Sequence, residues 1–175
     1  MNILIINGSH RIGNTKRFVE SAKSILTNKG HKVDTINLLE QRFDICNGCL
    51  VCEETGECIL NDTFTKKILS ALKSADAYVF ASPVYFNTVT ALFKNFIDRT
   101  NCLCGYYEEN QKKLAVFLVG QADEDSLNSA LGYIKEYSEI MNFDIVEDSI
   151  CVIAREADEL EITDEIQSAV SKWFN

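Results

Sequence analysis

Four cysteines fall within 13 residues of this chain, as Cys46-x2-Cys49-x2-Cys52-x5-Cys58. Three sulfurs at x2 spacing on a short loop can converge on one iron-sulfur cube, with Gly48 allowing the tight turns and Gly56 bringing the chain back to Cys58. The ferredoxin run ends C-x3-C-P, whereas here the last spacing is x5 and Ile59 follows, so the loop is not that module. The paired C-x2-C…C-x2-C layout of zinc sites is also missing. The residues alone leave four readings open: a cluster, unmetallated thiols, zinc or a redox disulfide. Cys102, Cys104 and Cys151 read as core or loop residues, because a buried free cysteine behaves as a small hydrophobe.

A second constellation is Gly8-Ser9-His10-Arg11-Ile12-Gly13-Asn14-Thr15. Its glycines, hydroxyls and amides would point into the positive end of a helix, which favours an anion. Arg11 adds a planar fork suited to phosphate oxygens. The spacing resembles a nucleoside-triphosphate loop, but Asn14 stands where that loop needs lysine. The dinucleotide pattern G-x-G-x-x-G is absent as well, so a terminal monophosphate fits best. The competing reading has Asn14 and Thr15 merely capping the helix, and a lone His10 reads as solvated.

The third constellation, Ser82-Pro83-Val84-Tyr85-Phe86-Asn87-Thr88, sets aromatic side chains beside free backbone groups. Such a loop can sandwich a planar heterocycle and hydrogen-bond its edge, although Tyr85 and Phe86 packing under the next helix is as good an explanation. Gly120-Gln121-Ala122-Asp123-Glu124-Asp125-Ser126 is acidic, and its first reading is a helix cap. A phosphate cradle beside an aromatic loop describes a mononucleotide with a large flat ring.

Elements must bring these loops together. Ile3 to Ile6, Ala77 to Ala81 and Leu114 to Val119 are continuous apolar runs that suit strands buried on both faces. His31 to Leu38 and Phe143 to Ile153 are weaker strands. Between them the apolar residues recur at helical spacing: Phe18, Ala22, Ile25 and Leu26; Phe64, Ile68 and Leu72 after a capping Asp62; Val89, Leu92, Phe93, Phe96 and Ile97; Leu127, Leu131, Ile134 and Met141; and Ile162, Ile166, Ala169, Val170 and Trp173. Strand and helix alternating five times predict a doubly wound α/β sheet in a single domain over 1–175. Its ligands would bind beyond the carboxyl ends of the strands. The loop at about 39–61, which holds the four cysteines, exceeds ordinary connections and is expected to be functional or to carry its own short structure.

Composition narrows the class. The chain has 175 residues and a formal charge of -9, which argues against a large nucleic-acid face. No apolar run approaches the roughly 18 residues of a membrane span, and the N-terminus lacks a signal-peptide pattern. A cytoplasmic location follows as the expectation, with thiols kept reduced.

In combination, the Gly8 to Thr15 loop, Ser82-Pro83-Val84-Tyr85-Phe86 and Leu92-Phe93-Lys94-Asn95-Phe96-Ile97-Asp98-Arg99 resemble the NADPH-dependent FMN reductase family of the flavodoxin-like fold. The resemblance runs from Met1 to about Gly120. It implies a five-stranded parallel sheet of order 2-1-3-4-5 and FMN as the cofactor. Ser9, Arg11, Gly13, Asn14 and Thr15 would hold the phosphate, and Ser82, Pro83, Val84, Tyr85, Phe86 and Asn87 would line the ring. Gly120 and Gln121 would meet its far edge. The leading implied activity passes electrons from NAD(P)H to a flavin, quinone or similar small acceptor, in a homodimer or homotetramer.

The cysteine loop resembles that of iron-sulfur flavoproteins, relatives of the same superfamily. That implies a [4Fe-4S] cluster on Cys46, Cys49, Cys52 and Cys58, and an alternative role as an electron carrier with ferredoxin as partner. No acid-base residue is expected to be catalytic, since the cofactor carries the chemistry. Asp98 and Arg99 read as helix-end salt bridges, while Tyr106 and Tyr107 would cover the flavin or form a subunit contact.

Overall fold

In-out alternation along the strands decides the architecture. The computed structural model describes residues 1–108 and 111–174. Its elements in chain order are β1 (Asn2–Asn7), α1 (Asn14–Asn28), β2 (Lys32–Asn37), α2 (Val51–Thr55), α3 (Leu69–Ser74), β3 (Ala77–Tyr85), β4 (Thr88–Val89), α4 (Ala91–Arg99), β5 (Lys112–Gly120), α5 (Glu124–Ile140), β6 (Phe143–Ile145), β7 (Ile150–Ile153) and α6 (Asp164–Lys172). A π-helical turn over Phe64–Ile68 runs into α3, and 3-10 turns occupy Leu38–Glu40 and Thr100–Leu103.

The strands pair in parallel in the order β2-β1-β3-β5, with β6 and β7 both lying against β5. Leu4, Ile6, Tyr78, Phe80, Leu114 and Val116 point to one side, packing with residues of α3, α4 and α5. Ile3, Ile5, Val79, Ala115, Phe117 and Val119 point to the other, against α1 and α6. Both sides are buried, which is why the central strands read as unbroken apolar runs. Phe18 of α1 lies flat on Phe117, ring centroids 3.7 Å apart, and Trp173 closes over it at 5.9 Å.

Set the short strand β4 aside, count β6 and β7 as one interrupted strand, and the order is the expected 2-1-3-4-5 of a flavodoxin-like sheet. The interruption is a departure from the sequence expectation of a single strand over Phe143 to Ile153. Phe143–Ile145 pairs with Lys112–Leu114, then the chain leaves β5 and returns with Ile150 opposite Phe117. Polar Glu147, Asp148 and Ser149 fill the gap, and the Asp148 carbonyl accepts from the Trp173 indole at 2.8 Å instead of joining a ladder.

Two further differences bear on the site. α4 starts at Ala91 rather than near Val89, because Val89 pairs back with Val84 across a two-residue turn at Phe86 and Asn87. Both turn residues have positive φ, 49° and 63°, the type I′ geometry of tight hairpins. And β3 continues through Pro83, which stands opposite Val119. Proline is tolerated there because β1 no longer accompanies β3: their last pair is Asn7 with Ala81, closed by Gly8 N–H donating to the Ala81 carbonyl at 2.8 Å.

No helix among the described residues is long and apolar enough to cross a membrane. Replacing Phe117 by Ala should remove the stacked pair at the centre of one face and lower unfolding stability by about 3–5 kcal/mol. Urea denaturation checks this, and a loss below about 1 kcal/mol would contradict the packing described.

Candidate functional site

Where β1 stops and β3 runs on, a cavity of ≈ 380 Å³ opens at the carboxyl end of the sheet. One wall is the loop after β1. Gly8 is there for contact rather than for an anion, since a β-carbon on it would stand 2.5 Å from the Phe93 ring of α4. Ser9 folds the loop locally: its N–H donates to Asn7 Oδ1 at 3.0 Å, and its hydroxyl donates to the Arg11 carbonyl at 2.9 Å. Asn7 is held in turn by its amide donating to Asn37 Oδ1 of β2 at 3.0 Å.

Gly13 precedes α1 at its N-cap, and no side chain caps the helix there, nor does any acid stand in its first turn. The other helices of nine or more residues are all capped: Thr90, Asp123 and Thr163 accept from Phe93, Ser126 and Ile166 N–H. So α1 alone of these presents its first amides to the cavity without a side-chain partner, and the capping reading of Asn14 and Thr15 fails. Arg11 is exposed at the rim, with no carboxylate pairing with it among the described residues. Free helix N–H groups beside an unpaired guanidinium are the chemistry that suits an anion.

The opposite wall is the β3–β4 hairpin. Pro83, Val84, Tyr85, Phe86 and Asn87 all line the cavity. Ser82 does not, contrary to the expectation from sequence. Its buried hydroxyl is spent inside the turn, donating to the Pro83 carbonyl at 2.8 Å and accepting from Thr90 N–H at 3.3 Å. Phe86 is fully exposed and held in the left-handed region, a cost for a bulky residue. His10 lies outside the cavity lining, its ring roughly parallel to Tyr85 at 6.5 Å.

Gly120 and Gln121 form the floor at the end of β5, with Val119, Ala122 and Ser126 beside them. Ser126 donates its hydroxyl to Asn87 Oδ1 at 2.9 Å, tying α5 to the hairpin. Asp123 caps α5, as its bland reading anticipates.

A third side went unforeseen. The segment after β7 crosses the start of α1 and contributes Ala154 and Ala157 to the lining. Asn14 holds it: the side chain donates to the Glu156 carbonyl at 2.8 Å and accepts from Leu160 N–H at 3.0 Å. Arg17 adds bonds to the Asp158 and Leu160 carbonyls, and Gln121 donates to the Arg155 carbonyl. Gly13 must be glycine because a β-carbon would meet the Ala157 carbonyl oxygen at 2.8 Å. Asn14 therefore lines the cavity, but its side chain serves this strap, leaving its backbone N–H for a ligand. Nothing local in the sequence pairs Asn14 with residues more than 140 positions away.

The four cysteines form a separate site. Cys46, Cys49, Cys52 and Cys58 line one small cavity of ≈ 30 Å³ between their loop and the end of α4, all as free thiols. Among the described residues no three His, Cys, Asp or Glu side chains converge to hold a single metal ion. A cube takes one thiolate at each of four irons and so needs a wider spread than a mononuclear site. Its donor set is present, and two N–H groups already aim at sulfur: Arg99 Nη2 at Cys58 (3.5 Å) and Asn101 Nδ2 at Cys52 (3.4 Å). Residues 45–50, with Cys46 and Cys49 among them, are exposed to solvent. Cys102 borders the same cavity as an inert thiol, pushed up to about 11 by burial and by its neighbours Cys58 and Cys52.

Arg99 is buried against Asp62, at 2.6 and 3.1 Å, while Asp98 pairs with Lys94 on the surface. Tyr107 covers no ligand: it is core, accepting from the Tyr78 hydroxyl at 3.0 Å, with Tyr106 packed edge-on outside it.

A family described as NADPH-dependent FMN reductase matches residues 1–157. An iron-sulfur flavoprotein of Methanocaldococcus jannaschii is 29% identical over 150 residues, 85% of this chain and 77% of that protein. Another, from Archaeoglobus fulgidus, is 33% identical over 95 residues, 54% of this chain; the match spans 43% of that relative's length. Among solved structures, RosB with a bound 8-demethyl-8-formylriboflavin-5'-phosphate superposes with a TM-score of 0.73 at 12% identity, over 98% of this chain and 75% of that one. An apo NADH:FMN oxidoreductase gives 0.69 at 21% identity, over 98% and 87%. At these identities the superpositions show the shared fold alone.

Two outcomes follow from the geometry. Asn14→Ala strands the buried Leu160 N–H and should cost about 1–3 kcal/mol, with faster hydrogen exchange at 155–160; unchanged exchange there would contradict the strap. For Asp62, burial alone would raise the pKa, but hydrogen bonds from Arg99 and from the Asp44 and Thr65 N–H groups outweigh it and hold the carboxyl at about 2, below its ordinary 3.8. A depressed carboxylate contributes stability above its unfolded pKa and loses it as pH falls through the folded one. Between pH 4 and 2, the wild type should therefore lose about 1.5–2 kcal/mol more than Asp62→Asn. Parallel acid curves for the two proteins would contradict the pair.

Proposed function

The chain belongs to the NADPH-dependent FMN reductase family, and on that footing we propose that it is an iron-sulfur flavoprotein oxidoreductase, holding FMN in the large cavity and a [4Fe-4S] cluster on the cysteine loop. The observation that carries the FMN half is the uncapped first turn of α1 facing a cavity with Tyr85 and Phe86 on one wall. That cavity falls in the usual size range for small-molecule sites. Arg11, Thr15 and the α1 amides would hold the phosphate, with Ser9, whose N–H and hydroxyl are bonded within the loop, shaping it, and with the hairpin from Pro83 to Asn87 and the Gly120–Gln121 floor flanking the ring. FMN supplies hydride and single-electron chemistry when bound. What the chain contributes is orientation, a positive site for the phosphate, and apolar side chains of the hairpin beside the ring. No side chain at the cavity is assigned a proton-transfer role.

The cluster half is supported by the four thiols at one cavity, by the N–H donors aimed at two of them, and by relatives that carry the iron-sulfur name. These observations favour the role in which a one-electron carrier of the ferredoxin class exchanges electrons with the cluster. The second reading is direct reduction by NAD(P)H with a flavin, quinone or similar small molecule as acceptor, and the family description favours it. We read the protein as cytoplasmic, as a homodimer or homotetramer, and without nucleic-acid or membrane partners.

Anaerobic purification with the chromophores retained tests both halves. Flavin bands together with broad absorption and about four irons per chain are expected; no flavin in the native protein and none taken up by the apoprotein would overturn the FMN assignment. Flavin reduction by ferredoxin but not by NADPH supports the carrier, and reduction within seconds by NADPH supports the second reading. Arg11→Ala should weaken FMN binding about tenfold, in line with the loss of one charge-assisted contact of roughly 1.5 kcal/mol. Unchanged affinity would remove Arg11 from the phosphate site.

A further inference from the structure

Arg99 does more than end a helix. Its side chain is fully buried at the C-terminus of α4, where Nη1 donates to Asp62 Oδ2 (2.6 Å) and the Asp44 carbonyl (2.8 Å). Nη2 donates to Asp62 Oδ1 (3.1 Å) and Cys58 Sγ (3.5 Å), and the guanidinium lies 4.7 Å from the centroid of Phe64. An ordinary helix-end pair such as Lys94 with Asp98 stays in solvent, where it is worth little. Taking a guanidinium out of water is costly unless every bond is made in good geometry, and the buried Nε has no hydrogen-bond partner among the described residues, so a burial this deep calls for a role.

Its partners supply the role. Asp44 stands two residues before Cys46, and Asp62 four residues after Cys58. One side chain thus fastens both ends of the cysteine loop to α4, and Asp44 N–H closes the frame by donating to Asp62 Oδ2 at 2.9 Å. Asn101, in the 3-10 turn that follows, reaches Cys52 Sγ from the same side. The middle of the loop is exposed and turns through positive φ at Gly48 and Leu50.

We propose that Arg99 is the positioning residue of the cysteine loop: it fixes the loop ends as a frame in the metal-free protein and, with Asn101, donates N–H groups to the cysteine sulfurs once a cluster is bound. The second half rests on the cluster reading given above. Hydrogen bonds to ligand sulfur, and a nearby positive charge, stabilise the reduced cluster and so raise its potential. Fixed ends with a free middle let the loop close on a cluster without reordering the whole segment.

Three variants separate these effects. Arg99→Lys keeps the charge and loses the two-pronged geometry. Arg99→Gln with Asp62→Asn also removes the carboxylate that would otherwise be stranded. Asn101→Ala deletes one sulfur donor only. In the metal-free protein, hydrogen exchange over 44–62 should be about tenfold faster in both Arg99 variants, roughly the effect of losing one charged hydrogen bond, with β1 and β5 unchanged. Loop exchange at the wild-type rate in both would overturn the frame. After anaerobic reconstitution with iron and sulfide, Asn101→Ala should show a more negative midpoint potential in an EPR-monitored titration; an unchanged potential overturns the donor role. If the wild type takes up no iron, the cluster reading and the donor role fall together, while loop exchange still decides the frame.

Discussion

Much of the cavity depends on where β1 stops. It ends at Asn7, whereas β3 continues to Tyr85 with only β5 and its own hairpin beside it. That mismatch leaves room at the carboxyl end of the sheet, at the point where the strand order reverses, and aims the start of α1 into the gap. Three consequences follow. Proline can sit in β3 without breaking a ladder to β1. The hairpin tip, with Phe86 and Asn87 in left-handed conformations, stands beside the opening. And the amides of the first α1 turn meet the cavity rather than a cap.

Packing fixes this arrangement from behind. Phe93 presses on Gly8, the Ala157 carbonyl presses on Gly13, and neither contact leaves room for a β-carbon. The loop after β1 is thus clamped between α4 on one side and the strap from the chain's last quarter on the other. α4 has a second role at its far end, where buried Arg99 grips the cysteine loop. One nine-residue helix therefore braces the cavity at the sheet's carboxyl end at its start and frames the cysteine cavity at its end. Any shift of α4 would be felt at both.

The sheet and most of the cavity were legible in the sequence because both are written in local patterns. Buried parallel strands are continuous apolar runs, amphipathic helices repeat at 3.6, and an anion loop needs glycines and small polar residues at one strand end. What was not legible is long-range. Asn14 looks like a phosphate ligand until the strap that it holds is seen, and Ser82 looks like a ring contact until its hydroxyl is found inside the turn. Ala154 and Ala157 carry no chemical signal at all; only topology brings them to the cavity. Arg99 read correctly as an ion-pairing residue, but its partner Asp62 reads as a simple helix cap, and nothing in the spacing links either to Cys58. The break between β6 and β7 follows from polar residues whose effect on a weak edge strand depends on Trp173 docking from elsewhere.

The comparison of FMN with riboflavin, titrated into the apoprotein at one ionic strength, isolates the interaction from which the functional reading starts. If the open helix end and Arg11 bind a phosphate, FMN should bind about a hundredfold more tightly than riboflavin, equivalent to roughly 2.7 kcal/mol for the charged group. Equal affinities for the two would mean that the first turn of α1 holds no phosphate, and the assignment of this cavity to FMN would fail.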